Sequence, residues 1–233
     1  LNAVPGFAKL CAANLSKLTG ENFETATDLV EATPDTGAYV SYSSALKRLA
    51  IKLSKICNDL RLMASGPRCG LNEINLPPKA PGSSIMPGKV NPVIPEVTNQ
   101  VCFKVIGNDA TVSFAAEAGQ LELNVMEPII TESLFESLTW LKNAIETLTS
   151  ECILGITVNK EHCYEMVKNS IGIVTALNPT IGYKKSSKVA KEAHATGRSV
   201  YDIVIEQGIM SKEELDKALD PKEMLQSHKF TLK

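Results

Sequence analysis

Histidine, tryptophan and long apolar runs are scarce in this chain of 233 residues, and each shortage narrows what it can do. There are three histidines, His162, His194 and His228, and a single tryptophan. No apolar stretch approaches the roughly 18 residues that a membrane helix needs, so no membrane partner is expected. A formal charge of −2, with no basic block and no aromatics interleaved with Lys or Arg, argues against nucleic acid. Six cysteines, at 11, 57, 69, 102, 152 and 163, form no C-x-x-C pair and no Cys/His metal spacing. They read as free thiols, mostly buried, in a reducing cytoplasm, and no metal site is expected. The opening Leu1-Asn2-Ala3-Val4-Pro5-Gly6 has neither a charged n-region nor an apolar h-region, so no signal peptide is expected.

What the chain does have is helical periodicity. Phe7, Leu10, Cys11, Leu15 and Leu18 recur at helical spacing up to Gly20, a left-handed cap, and a shorter helix is expected around Ala26–Ala32. Pro34-Asp35-Thr36-Gly37 is a turn by its residue chemistry. From Tyr39, the residues Leu46, Leu49, Leu53, Ile56, Leu60 and Met63 alternate steps of three and four, the seam of a bundle helix that wants another helix against it. A second long helix is expected from Asn91-Pro92 to about Ala118, roughly 40 Å at ~1.5 Å per residue. A third starts at Glu127-Pro128, with Ile130, Leu134, Leu138, Leu141, Ile145 and Leu148 as its stripe and Gly155 as its end. Beyond it come four shorter helices, the last opened by the capping box Ser211-Lys212-Glu213-Glu214. The fold class is therefore all-α: a long-helix bundle over 1–155, followed by a smaller helical domain over 156–233. Three striped helices cannot cover all their apolar surface alone, so partners from other chains are expected.

The candidate site is the interruption in this pattern. Prolines at 77, 78, 81, 87, 92 and 95 exclude a helix or inner strand from 77 to 91, which makes the stretch a polar loop on a helical scaffold. Its Gly82-to-Lys89 span has five residues between the glycines and Val90 after the lysine, so it is not a phosphate-binding loop. Ser83 lacks a G-x-S-x-G frame, and the three histidines all fall outside the bundle, which removes the nucleophile-elbow reading.

The string Gly82-Ser83-Ser84-Ile85-Met86-Pro87-x-Lys89-x-Asn91-Pro92 resembles the signature of the aspartase/fumarase superfamily, lyases that break a C–N or C–O bond to leave fumarate. The segments VNPVIPEVTNQVCFKVIGND and AEAGQLELNVMEP resemble its aspartase branch, and the resemblance covers essentially the whole chain as the C-terminal part of such an enzyme. It implies a cofactor-free conversion of L-aspartate to fumarate and ammonia in a cytoplasmic homotetramer whose active sites are shared between subunits. Fumarate hydration, or a non-catalytic helical scaffold, are the alternatives it leaves open.

The resemblance also assigns roles. Ser83 becomes the general base, acting as an alkoxide. The backbone N–H groups of Ser84, Ile85 and Met86 become oxyanion donors, in line with the anion-binding habit of a Gly-Ser-Ser turn. Lys89 grips a substrate carboxylate and Asn91 hydrogen-bonds it, or Asn91 serves as a helix N-cap. Glu96 orients an active-site histidine from elsewhere, or simply suits the helix dipole. Gly82 and Gly88 are expected to hinge the loop over substrate. Ser65-Gly66-Pro67-Arg68 is assigned structural work, with Arg68 paired to an acidic group.

Overall fold

A computed structural model describes residues 3–82 and 84–226, and it divides into two compact units. The first comprises Leu1–Ser65 and Leu76–Ile156; the second comprises Gly66–Asn75 and Thr157–Lys233.

The first unit is built on three long helices, α2 (Gly37–Met63), α3 (Val93–Glu117) and α4 (Glu127–Glu151), preceded by α1 (Phe7–Thr19). Gly20 takes the left-handed conformation and donates its N–H to Ser16, ending α1 as the sequence indicates. None of the α1 residues is buried, and its apolar stripe is exposed. The short helix expected near Ala26–Ala32 is absent. There Asp28 Oδ1 accepts from the backbone N–H groups of Val30 and Glu31, an Asx-type turn that competes with helix growth.

The buried face of α2 overlaps the leucine seam only in part, with Leu60 buried and Leu46 and Leu53 packed against the core. Ser43, Ala50, Ser54, Cys57 and Leu60 are buried, while Leu49 and Ile56 are exposed. Small side chains let α2 approach α3 closely, and polar pairs fill the contact. Asn99 donates to the backbone oxygen of Ser54 at 3.0 Å and to its hydroxyl at 2.8 Å. Arg61 donates to Asn99 Oδ1 at 3.3 Å. Asp109 accepts from Ser43 at 2.9 Å and pairs with Lys47 at 2.5 Å. Between α3 and α4, Asn108 donates to Glu136 at 2.8 Å and to Ser137 at 3.1 Å. Apolar clusters lie between these polar contacts. Ala50, Cys102, Val105 and Leu141 form one, and Val112, Ala115, Ile130 and Leu134 another. Phe103, Phe114, Phe135 and Trp140 remain exposed on the same helices.

In the second unit, β1 (Ile74–Asn75) pairs antiparallel with β2 (Thr157–Val158), in the register Ile74 to Val158. These two-residue strands are too short to be legible as period-two alternation. Asn159 locks the junction: its backbone N–H reaches Glu73 and its side-chain amide reaches the Asn72 carbonyl at 2.8 Å. The helices are α5 (Lys160–Lys168), a 3₁₀ segment (Ile171–Leu177), α6 (Asn178–Ile181), α7 (Tyr183–Thr196), α8 (Val200–Glu206), α9 (Lys212–Ala218) and α10 (Pro221–Met224). Ile173, Leu177, Val189, Ile203 and Leu215 centre their core. The capping box at Ser211 forms in full, with Glu214 answering the Ser211 backbone. Arg68 has no carboxylate partner among the described residues, contrary to expectation. No helix of the described residues is long and apolar enough to cross a membrane.

Candidate active-site loop

Proline chemistry keeps 76–92 irregular, yet its base is ordered by backbone bonds. Gly82 donates to the carbonyl of Lys89 at 2.8 Å, inside an isolated antiparallel bridge between Pro81 and Val90. The two arms lie so close that a Cβ on Gly82 would sit 2.3 Å from the Lys89 oxygen and 2.6 Å from its carbonyl carbon. Glycine is needed at 82 for close approach. At 88 it is needed for conformation, because Gly88 has φ +78° and open space around it.

Asn91 completes the base. Its side-chain amide donates to the Gly82 carbonyl at 3.1 Å, while its own carbonyl accepts from Val93 at 2.8 Å. Helix α3 therefore begins at Val93, with Pro92 at the cap position and no side-chain cap. The N-cap role expected for Asn91 is replaced by a bond to the loop, because Pro92 displaces the start by one residue. An amide nitrogen has two protons, and among the described residues the second N–H and the Oδ1 of Asn91 meet no partner.

Among the other expected residues, Ser83 lies outside the described residues. Ser84, Ile85 and Met86 are exposed, Ile85 at 87%. Lys89 is exposed and ends a turn in which its N–H donates to the Met86 carbonyl at 3.2 Å. Glu96 is half-buried in the first turn of α3. The loop thus brings Gly82 together with Lys89 and Asn91, and Glu96 follows five residues after Asn91. His162 and His194 are exposed, and His162 contacts the Leu71 carbonyl at 2.7 Å. His228 lies outside the described residues. Among the described residues no group of His, Cys, Asp and Glu has metal-holding geometry.

Sequence reasoning missed how the upstream arm is held. Lys79 pairs with Glu151 at the end of α4, 2.6 Å away, and its ammonium holds that carboxyl below the usual carboxylate range. Beside it Pro77 fills the space above Gly155, where a Cβ would meet the ring at 2.4 Å. A lone Gly after a helix reads as a terminator, and a Lys in a proline-rich stretch carries no periodicity, so neither signal pointed to its partner. A shallow cavity of about 450 Å³ opens between the arms, lined by Lys79, Gly82, Gly88 and Lys89 among others.

Comparison with known proteins gives a consistent picture. The profile described as "Lyase" matches residues 1–107, and that described as "Fumarase C C-terminus" matches 173–226. The chain is 59% identical over 230 residues to the aspartate ammonia-lyase of Helicobacter pylori, covering 99% of this chain and 49% of that protein. Against the Escherichia coli aspartate ammonia-lyase it is 59% identical over 216 residues, 93% of this chain and 45% of that protein. Among solved structures, a fumarate lyase:delta crystallin from Brucella melitensis superposes with TM-score 0.91 at 48% identity, over 97% of this chain and 49% of that one. The class II fumarase of Schistosoma mansoni gives 0.89 at 34% identity, over 96% of this chain and 50% of that one. The chain spans about half the length of the curated relatives it matches.

Proposed function

The chain belongs to the aspartase/fumarase superfamily, and from that premise we propose that it carries the loop of an aspartate ammonia-lyase, converting L-aspartate to fumarate and ammonia. The observation that carries this reading is the identity to proteins of that name, 52–59%, against 34% to the class II fumarase.

The chemistry asks for a base at Cβ and for stabilisation of two negative charges on one carboxylate. Ser83, as alkoxide, takes the Cβ proton. The electron pair moves into the adjacent carboxylate, giving the aci-carboxylate dianion. Collapse of that dianion forms the C=C bond and expels the α-ammonium group as neutral ammonia. Backbone N–H groups of Ser84, Ile85 and Met86 face the dianion when the loop closes, and each such donor is worth about 3 kcal/mol to the transition state. Lys89 holds a carboxylate as a point charge. Asn91 uses one amide proton on Gly82 and offers the other to substrate. Glu96 orients a histidine supplied by another segment or subunit. Gly82 and Gly88 bound the part of the loop that moves.

The loop base supports this assignment, because residue 83 is flanked by a glycine held through both its N–H and its carbonyl. The exposed aromatic rings of α3 and α4 suit a homotetramer in which long helices of several copies pack together, and a cytoplasmic location accompanies the reading. No cofactor is called for by these steps.

Fumarate hydration is the second reading, favoured by the C-terminal profile and the fumarase superposition. Fumarate formation from L-aspartate and, separately, from L-malate by the intact enzyme decides between them. Turnover of malate alone would overturn the aspartase assignment, and Ser83→Ala with near-parental turnover would remove Ser83 as the base.

A further inference from the structure

Glu151 is the last residue of α4, and no basic residue lies in that helix's last turn. A carboxylate there adds to the negative end of the helix dipole, where a cation is what stabilises. Lys79 supplies that cation from the loop stem, 2.6 Å from Glu151, with the two side chains only 35% and 45% exposed. Two residues earlier in the same arm, Pro77 stands so close over Gly155 that a Cβ there would meet its ring at 2.4 Å. The arm therefore rests on the end of α4 at two points, one ionic and one steric.

That hold reaches the other arm. Prolines at 77, 78 and 81 fix φ along this stretch, so the arm from 77 to 82 moves as a stiff piece. At its far end Gly82 donates to the Lys89 carbonyl, and its own carbonyl accepts from Asn91, two residues before α3 begins. A line of contacts thus runs from α4 through Lys79 and Gly82 to the start of α3, and the loop tip is carried between Gly82 and Lys89. Ser84, Ile85 and Met86 at that tip are exposed. Closing the tip over a ligand costs ordering entropy, and a stem already fixed leaves less of it to be lost on binding.

We propose, resting on the lyase reading of this loop, that Lys79 and Glu151 are positioning residues of its site: their ion pair pre-places the stem, so that substrate has only the tip to order. Neither side chain touches substrate, and the pair acts through Gly82, Lys89 and Asn91. The fraction of molecules with the stem in place scales the apparent affinity, so loss of the pair raises KM. It leaves kcat, which is measured with the loop held closed by saturating substrate. A merely structural role does the reverse, lowering the active fraction and hence the apparent kcat at constant KM.

Steady-state kinetics of the intact enzyme, on whichever of L-aspartate and L-malate the parent converts, test this with Lys79→Met, Glu151→Gln, the two combined, and Lys79→Arg. Partly exposed ion pairs shift an equilibrium by up to about fivefold, so each neutralising variant raises KM roughly two- to fivefold with kcat retained. The combined variant is no worse than either alone, and Lys79→Arg keeps the parental KM. Unchanged KM in both neutralising variants, a fall in kcat at parental KM, or effects that multiply in the combination each overturns the proposal. Hydrogen exchange at the Gly82 amide gives a reading free of substrate: it quickens by a similar factor in Lys79→Met, and unchanged exchange overturns the proposal as well. A parent that makes fumarate from neither substrate would sink the lyase reading instead, and the Gly82 amide then decides whether the pair holds the stem.

Discussion

Gly82→Ala is the sharpest perturbation of the loop. The new Cβ would stand 2.3 Å from the Lys89 carbonyl oxygen, far inside any tolerated contact, and its obstacle is backbone that no rotamer change can clear. The arms must separate. Separation breaks the 2.8 Å bond from Gly82 to Lys89 and the 3.1 Å bond from Asn91 to Gly82. Each is worth about 1 kcal/mol net, so closing the loop base becomes about 2 kcal/mol harder. If turnover requires the closed base, kcat/KM for L-aspartate falls roughly 30-fold. The melting temperature stays near the parent's, because the loop contributes little buried surface. Amide exchange at Gly82 quickens in the variant. A Gly82→Ala enzyme with kcat/KM within threefold of the parent, measured by the ultraviolet absorbance of fumarate, would refute the claim that the base acts as a unit.

Asn99→Leu leaves the Ser54 hydroxyl and the Arg61 guanidinium without their partner inside the α2–α3 contact, and is expected to lower unfolding free energy by about 2 kcal/mol in denaturant melts. Glu136 is held below its ordinary 4.5, first by the Asn108 amide and then by Lys104, so its contribution is present above that value and is lost as pH falls below it. Glu136→Gln should consequently be less stable near neutral pH, with a shallower loss of stability on acidification and an acid-unfolding midpoint, followed by circular dichroism, at the same or higher pH. Burial, with Cys102 and Cys152 nearby, raises the Cys57 thiol from 9.0 to about 11, so the folded state keeps a proton that the unfolded chain releases. Stability is lost as pH rises from 9.0 toward 11, and Cys57→Ala flattens that limb. At neutral pH a thiol reagent should modify exposed Cys69 first and reach Cys57, Cys102 and Cys152 only on unfolding.

The helices were legible because their signals are local: Gly20 closing α1, Pro128 opening α4 and Ser211 capping α9 all act within a turn or two of chain. Which face each helix buries was less legible. The leucine seam of α2 is periodic, but the contact with α3 uses Ser43, Ala50 and Ser54, whose polar partners lie up to 66 residues away in sequence. Leu49 and Ile56 of the same seam stay exposed. In the loop, the residue types were readable from the string around Ser83, whereas its construction was not. Asn91 as a tie to Gly82, and Lys79 as an anchor on Glu151, depend on contacts that no pattern of prolines and glycines encodes.

The second unit's split across the chain bears on how it is made. The β1 side of its two-residue ladder leaves the ribosome long before the β2 side, since Thr157 comes 82 positions after Asn75. At ~5–20 residues per second that is a wait of about 4–16 s, during which Asn72 and Glu73 have no Asn159 to hold them. The α2–α3 hairpin, by contrast, can close as soon as α3 is out. Assembly during synthesis is therefore ordered, with the long-helix scaffold in place before the segment beside the loop finds its strand partner.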